Sequence, residues 1–173
     1  MIEWVVRRIR THGAPPLDDV LGPDVVLVPL PKSAPFPPSQ RNVLWAPQRI
    51  AQALVAEGWG RSVEPILARV TPVEKSAFAG AGQRPSPQTH LDSLRITPGL
   101  TAPERVVLVD DVVTKGATIL AAASLVQDAF PRASVAAFAL VRTLGLQPEV
   151  ERIVDPVVGT IVRNPWAGAD RKP

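Results

Sequence analysis

The sequence predicts an α/β domain with a central, mostly parallel sheet flanked by helices. Two observations carry this. Three short apolar runs, Asp24–Val28, Arg105–Val109 and Ser134–Val141, have strand length and are bounded by turn or charged residues. Between them lie two stretches with helical spacing, Val43–Gly58 and Ala117–Phe130. Strands that alternate with helices favour parallel pairing, because each crossover returns the chain to the same end of the sheet.

Taken in order, Met1–Arg10 reads as a helix, with Ile2, Val5, Val6 and Ile9 on one side. Asp24–Val28 follows Gly22-Pro23 and stops at Pro29, as a buried strand does. Five prolines between Pro29 and Pro38 make Pro29–Arg41 a stiff, non-helical loop. Val43–Gly58 places Ile50, Ala51, Leu54 and Val55 on one helical face, with Pro47 near the first turn and Gly58 as terminator. Val63–Val70 reads as a second strand, interrupted by Pro65, and 71–101 shows no clear periodicity, as in a lid or binding loop. Arg105–Val109 is a buried strand; Ala117–Phe130 is a helix carrying Ile119, Ala123, Val126 and Phe130 and ended by Pro131. Ser134–Val141 is a central strand, and Arg152–Asn164 adds a weaker one.

Length and composition narrow the function classes. At 173 residues, one domain with a substantial core is expected, the core spanning about 20–143. No apolar run approaches the roughly 20 residues of a membrane span. Met1–Arg8 lacks the apolar stretch and cleavage site of a secretory signal, so a cytoplasmic location is expected. The absence of cysteine excludes disulfides, a cysteine zinc ribbon and thiol catalysis. A net charge of +3 suits an anionic ligand, either a phosphorylated metabolite or nucleic acid; Arg7-Arg8-Ile9-Arg10 is the one basic run.

The segment with chemical content is Val106-Val107-Leu108-Val109-Asp110-Asp111-Val112-Val113-Thr114-Lys115-Gly116-Ala117-Thr118. A buried parallel strand brings two carboxylates to the end of the sheet where α/β proteins bind ligands. A small-residue loop then enters a helix whose first amides and positive dipole end favour a phosphate. Thr114 and Thr118 add hydroxyls, Gly116 permits close backbone approach, and Lys115 brings a full charge, with Ala117 between Gly116 and Thr118 in the same segment. Acids beside a phosphate cradle make sense when the ligand also presents hydroxyls, for which carboxylates are strong acceptors. A ribose 5-phosphate unit has that layout.

Four apolar residues, two acids and a Thr/Gly-rich loop resemble the motif by which type I phosphoribosyltransferases bind phosphoribosyl pyrophosphate (PRPP), and the loop is similar to that of the ComF-like subfamily. The resemblance implies a type I phosphoribosyltransferase-like fold with a small hood and a flexible loop. The hood is expected from the N-terminal segment and the residues after Leu144. It further implies Asp110 and Asp111 on the ribose, and Thr114–Thr118 on the 5-phosphate. Lys32 and Ser33, after the first strand, match the pyrophosphate loop by position, and Gln40-Arg41-Asn42 faintly matches the element that follows it. Arg69, Lys75, Ser76 and Arg84 correspond to the flexible-loop region, with Lys75 and Arg84 expected to act catalytically on the leaving group. Ser76 stands near the usual glutamine and Pro87 near the usual asparagine, and the zinc ribbon of many ComF-like chains is missing. Mg²⁺ would be held mainly through PRPP, with no metal site built by the protein, and the acceptor would be a nucleobase-like nitrogen compound. A homodimer is the family expectation.

The competing reading is a non-catalytic PRPP or nucleotide sensor, or a ComF-like DNA-uptake or nucleic-acid-processing partner. His90, alone in a polar stretch, reads as a surface or capping group in preference to a general base, and His12 as a turn residue beside Gly13. Trp45, Trp59 and Trp166 read as core or rim packing in preference to base stacking.

Overall fold

The computed structural model describes all residues except 14, 38–44, 75–84, 98–101, 144–155, 167 and 173, together with the side chain of His12. The chain begins with α1 (Ile2–His12) and the short α2 (Pro15–Asp18) and enters β1 (Val26–Pro29). Then come α3 (Ala46–Ala56), β2 (Ser62–Val63), β3 (Leu67–Arg69), α4 (Pro87–Ser93) and β4 (Leu94–Ile96). The second half holds β5 (Arg105–Val113), α5 (Ala117–Ala129), β6 (Ser134–Arg142), β7 (Thr160–Arg163) and β8 (Ala169–Lys172).

The central sheet has four parallel strands in the order β2-β1-β5-β6 and is flanked by helices. From β1 the chain steps outward through α3 to β2, then returns past β1 to β5 and steps the other way through α5 to β6. The winding therefore reverses between β1 and β5. At such a reversal the helices leave on opposite faces and open a crevice at the carboxyl ends of the strands.

Period-2 alternation along the strands builds a core on each face. Val26, Val28, Val106 and Leu108 pack with Ile119, Ala122 and Val126 of α5. Leu27, Val107 and Val109 pack with Ile50, Ala51 and Leu54 of α3 and with Val6 of α1. Strands buried on both faces explain why the sequence shows continuous apolar runs at these positions. Trp59 belongs to the α3 side, and its indole Nε1 donates to Asp18 Oδ1 at 3.0 Å.

Several expectations change. The single strand at Val63–Val70 is two strands in different sheets. β2 pairs with β1, whereas β3 pairs antiparallel with β4, Leu67 opposite Ile96 and Arg69 opposite Leu94. Pro65 lies at the break, where a residue without an N–H cannot continue a ladder; Ile66 N donates to Glu64 O at 2.8 Å instead. The stretch 71–101 contains α4 and β4. Ser86 caps α4 by accepting from Thr89 N, and Pro87 occupies the first turn. The last strand is half of an antiparallel hairpin, β7–β8, in register from Thr160↔Lys172 to Arg163↔Ala169. Among the described residues no helix is long and apolar enough to cross a membrane.

Candidate functional site

β5 is longer than its apolar core. Its pairing with β6 runs from Arg105↔Ser134 to Asp110↔Ala139 and resumes at Val112↔Val141. On its other edge, pairing with β1 ends at Pro29↔Val109, followed by one bond from Leu30 N to Val109 O of 2.9 Å. Asp110 and Asp111 therefore sit inside the last part of a strand, where the β1 neighbour has already departed. At this point the alternation changes phase: Val106 and Leu108 face α5, and so does Val113. Each carboxylate takes up the amide of the next residue, Asp111 N donating to Asp110 Oδ1 and Val112 N to Asp111 Oδ1, both at 2.9 Å.

After Val113 the chain turns through Thr114-Lys115-Gly116 into α5. Gly116 is the N-cap residue, left-handed at φ 87°, a conformation that favours glycine. No side chain caps the helix, so its first amides keep their donors for a ligand. Asp110, Val112, Val113, Thr114, Gly116, Ala117, Thr118 and Ile119 line one small, open concavity. Hydroxyls, free amides and one carboxylate thus converge on a single space at the reversal point. Asp111 and Lys115 are not part of this lining; Lys115 is exposed.

Asp110 is half-buried. Burial first, and then the negative charge of Asp111 beside it, push its carboxyl up from 3.8 to about 7. A group poised between charged and neutral forms near neutral pH is common where chemistry or ligand binding occurs. No three metal-ligating side chains cluster among the described residues.

The loop after β1 is braced from the side. Trp45 Nε1 donates to Leu30 O at 2.7 Å, the Phe36 ring lies 5.0 Å from that of Trp45, and the Lys32 ammonium sits 4.8 Å over Phe36. Lys32 and Ser33 therefore occupy a held loop, outside the lining of the concavity. Lys75, Ser76, Arg84 and Gln40–Asn42 lie outside the described residues.

His90 departs from its expectation. It lies in α4 with 3% of its surface exposed, its Nε2 is 3.4 Å from Thr118 Oγ1, and its Nδ1 has no partner. Desolvation, and then the charge of Arg69, lower its pKa from 6.5 to about 4, so it is neutral at physiological pH. Trp166 also departs, being 89% exposed on the β7–β8 turn, whereas Trp45 and Trp59 pack as expected. His12 ends α1 beside Gly13.

Sequence reasoning missed two contributors. Ser93 is buried between Arg69 and the His90 carbonyl, and the β7–β8 hairpin lies against the site: Ile161 packs against Gly116, and Arg171 donates to the carbonyls of Val113 and Thr143. The Ser86-Pro87 pair was the available signal for α4; nothing local marks Ile161 or Arg171. Compared with protein-family models and with curated proteins, the chain matches none.

Proposed function

We propose that this chain is a type I phosphoribosyltransferase of the ComF-like kind, transferring the phosphoribosyl group of PRPP to a nitrogen of a nucleobase-like acceptor. The observation that supports this best is the convergence of Asp110 with Thr114, Thr118 and the first turn of α5 on one concavity. A ribose 5-phosphate would place its phosphate against the helix amides and a ring hydroxyl against the carboxylate.

In the reaction, a lone pair on the acceptor nitrogen forms the bond to C1 of the ribose. The C1–O bond to pyrophosphate breaks with its electron pair, and the acceptor nitrogen gives up its proton to the released pyrophosphate or to water. The ring carries positive charge in between. Ionised Asp110 beside the sugar would favour that charge, and its location in a partly desolvated crevice makes the effect larger than in water. Asp111 would act from the flank of the site. Lys32 and Ser33 would hold the pyrophosphate, with Lys75 and Arg84 assisting its departure. A Mg²⁺ ion carried on the diphosphate oxygens would offset leaving-group charge. The β7–β8 hairpin, lying against Gly116, would form part of the hood that selects the acceptor.

A binding-only reading has one observation in its favour. Every described residue lining the concavity comes from Asp110–Ile119, a single segment that suffices to hold the ribose 5-phosphate end of PRPP. Incubation with PRPP and Mg²⁺ across a panel of purine and pyrimidine bases separates the two. Pyrophosphate release that depends on a base supports transfer. PRPP binding by calorimetry without release supports the sensor or partner role. Absence of PRPP binding overturns both.

A further inference from the structure

Three polar or charged residues are buried among the described residues, Arg69, His90 and Ser93; the Arg69 side chain bonds that of Ser93, which bonds the His90 backbone carbonyl. Arg69 is 6% exposed. A guanidinium so far from water is expensive unless an anion or full hydrogen bonding compensates it. No ion pair among the described residues includes it, and desolvation alone sets the downward direction of its pKa. Its donors go elsewhere. Nε donates to Lys32 O at 3.1 Å, and Nη1 donates to Ser93 Oγ. Ser93 Oγ donates in turn to His90 O at 2.8 Å, and His90 Nε2 faces Thr118 Oγ1 at 3.4 Å.

The two ends of this chain of contacts are informative. One is the backbone of the loop after β1; the other is a hydroxyl that lines the concavity. A backbone bond from Val73 N to Ser33 O of 2.8 Å ties the same loop to the segment that follows β3. Burial of a charged residue with no anion among the described residues is poor design for stability alone, since an apolar side chain of similar size packs at lower cost. Such a group is better explained by what it holds in place.

We propose that Arg69, Ser93 and His90 form a positioning bridge that sets the separation between the Lys32–Ser33 loop and Thr118, so that one ligand with phosphoryl groups at both ends is gripped by both. This rests on the reading of those two segments as the pyrophosphate and 5-phosphate sites. When two sites are held at the span of one ligand, the second contact forms intramolecularly, at an effective concentration set by the rigidity of the link. Loosening the link leaves each site intact and removes the advantage of joining them. Neutral His90 faces Thr118 Oγ1 through Nε2, with Nδ1 unpaired; in the tautomer that carries its proton on Nε2 it donates to the threonine oxygen and leaves the hydroxyl proton for the phosphate.

The test is calorimetric titration of the full chain, wild type and Arg69→Met, with PRPP, ribose 5-phosphate and pyrophosphate separately, each with Mg²⁺. The bridge predicts that Arg69→Met weakens PRPP by about 10- to 100-fold while each single-ended ligand changes by less than about threefold. Arg69→Lys, which reaches one acceptor but lacks the fork, is expected to fall between. Wild type that binds PRPP, with Arg69→Met weakening all three ligands alike or none, overturns the bridge and leaves the functional reading standing. Pyrophosphate weakened as much as PRPP likewise overturns it, since Arg69 would then touch the anion itself. Wild type that binds none of the three overturns the functional reading, and the bridge with it. Should Arg69→Met fail to fold, His90→Phe cuts the bridge at Thr118 while removing an unpaired buried nitrogen, and the same pattern is expected.

Discussion

Gly116 and Ile161 lie so close that a methyl group on the glycine would sit 2.6 Å from Ile161 Cδ1 and 2.8 Å from its Cγ2. Gly116 also has φ +87°, where a side chain is strained whatever the space around it. Two independent constraints therefore meet at the N-cap of α5. Gly116→Ala is expected to destabilise the protein by about 2–3 kcal/mol, summing left-handed strain and overpacking. Adding Ile161→Ala should recover only the steric share. A double mutant as stable as Ile161→Ala alone in denaturant melts would show that the backbone conformation costs nothing here.

Asp110 and Asp111 are adjacent in sequence and unequal in place. Asp110 lines the concavity, and Asp111 does not. If the site holds a ribose, Asp110→Asn should weaken PRPP by about 10²-fold, the scale of losing a charge-assisted contact in a partly dry site. Asp111→Asn should cost less than about tenfold, and the double substitution should abolish measurable binding with the fold intact. Titrations in which Asp111→Asn is the more damaging single change would reverse the assignment of the two acids.

How far the fold was legible follows from where each element draws its stability. β5 and α5 announce themselves because their apolar residues are contiguous or regularly spaced, and both are buried by local partners. The site segment Asp110–Thr118 is legible for the same reason: strand, acids, loop and helix start are consecutive in the chain. α4 is seven residues with polar Gln88, Thr89 and Asp92, and it is held by burial of Pro87, His90 and Ser93 against the rest of the molecule. β8 reads Ala-Asp-Arg-Lys, with no alternation, and forms by pairing with β7. The bridge from Lys32 to Thr118 draws on the β1 loop, β3, α4 and α5. No spacing rule connects residues brought together only by the tertiary fold.

Arg171 fastens the hairpin to the sheet. Its Nη1 donates to Val113 O at 3.3 Å and its Nη2 to Thr143 O at 2.6 Å, so one side chain ties β8 to the ends of β5 and β6. Arg171→Met keeps the aliphatic stem and removes both donors. The expected cost is about 1–2 kcal/mol, with faster amide hydrogen exchange confined to Thr160–Arg163 and Ala169–Lys172. Unchanged protection in both strands would mean that the Ile161 contact alone holds the hairpin.

Asp110 and His90 give the protein two opposed pH responses. The folded Asp110 carboxyl titrates at about 7 against an ordinary 3.8. Between those values the folded state keeps a proton that the unfolded chain has released, so stability falls as pH rises. The folded His90 titrates at about 4 against 6.5. Between these the folded state lacks a proton that the unfolded chain holds, so stability is full above about 6.5 and is lost as pH falls. Each slope is at most about 1.4 kcal/mol per pH unit, and over roughly pH 4 to 6.5 they offset. The difference in urea midpoint between variant and wild type isolates each one. Asp110→Asn should gain stability relative to wild type progressively as pH rises from 4 to 7, and level off above. His90→Phe should gain relative to wild type as pH falls from 6.5 to 4, where the buried imidazole is forced to charge or unfold. Difference curves that are flat across this range in both variants would remove the buried, mutually independent titrations from the account of the site.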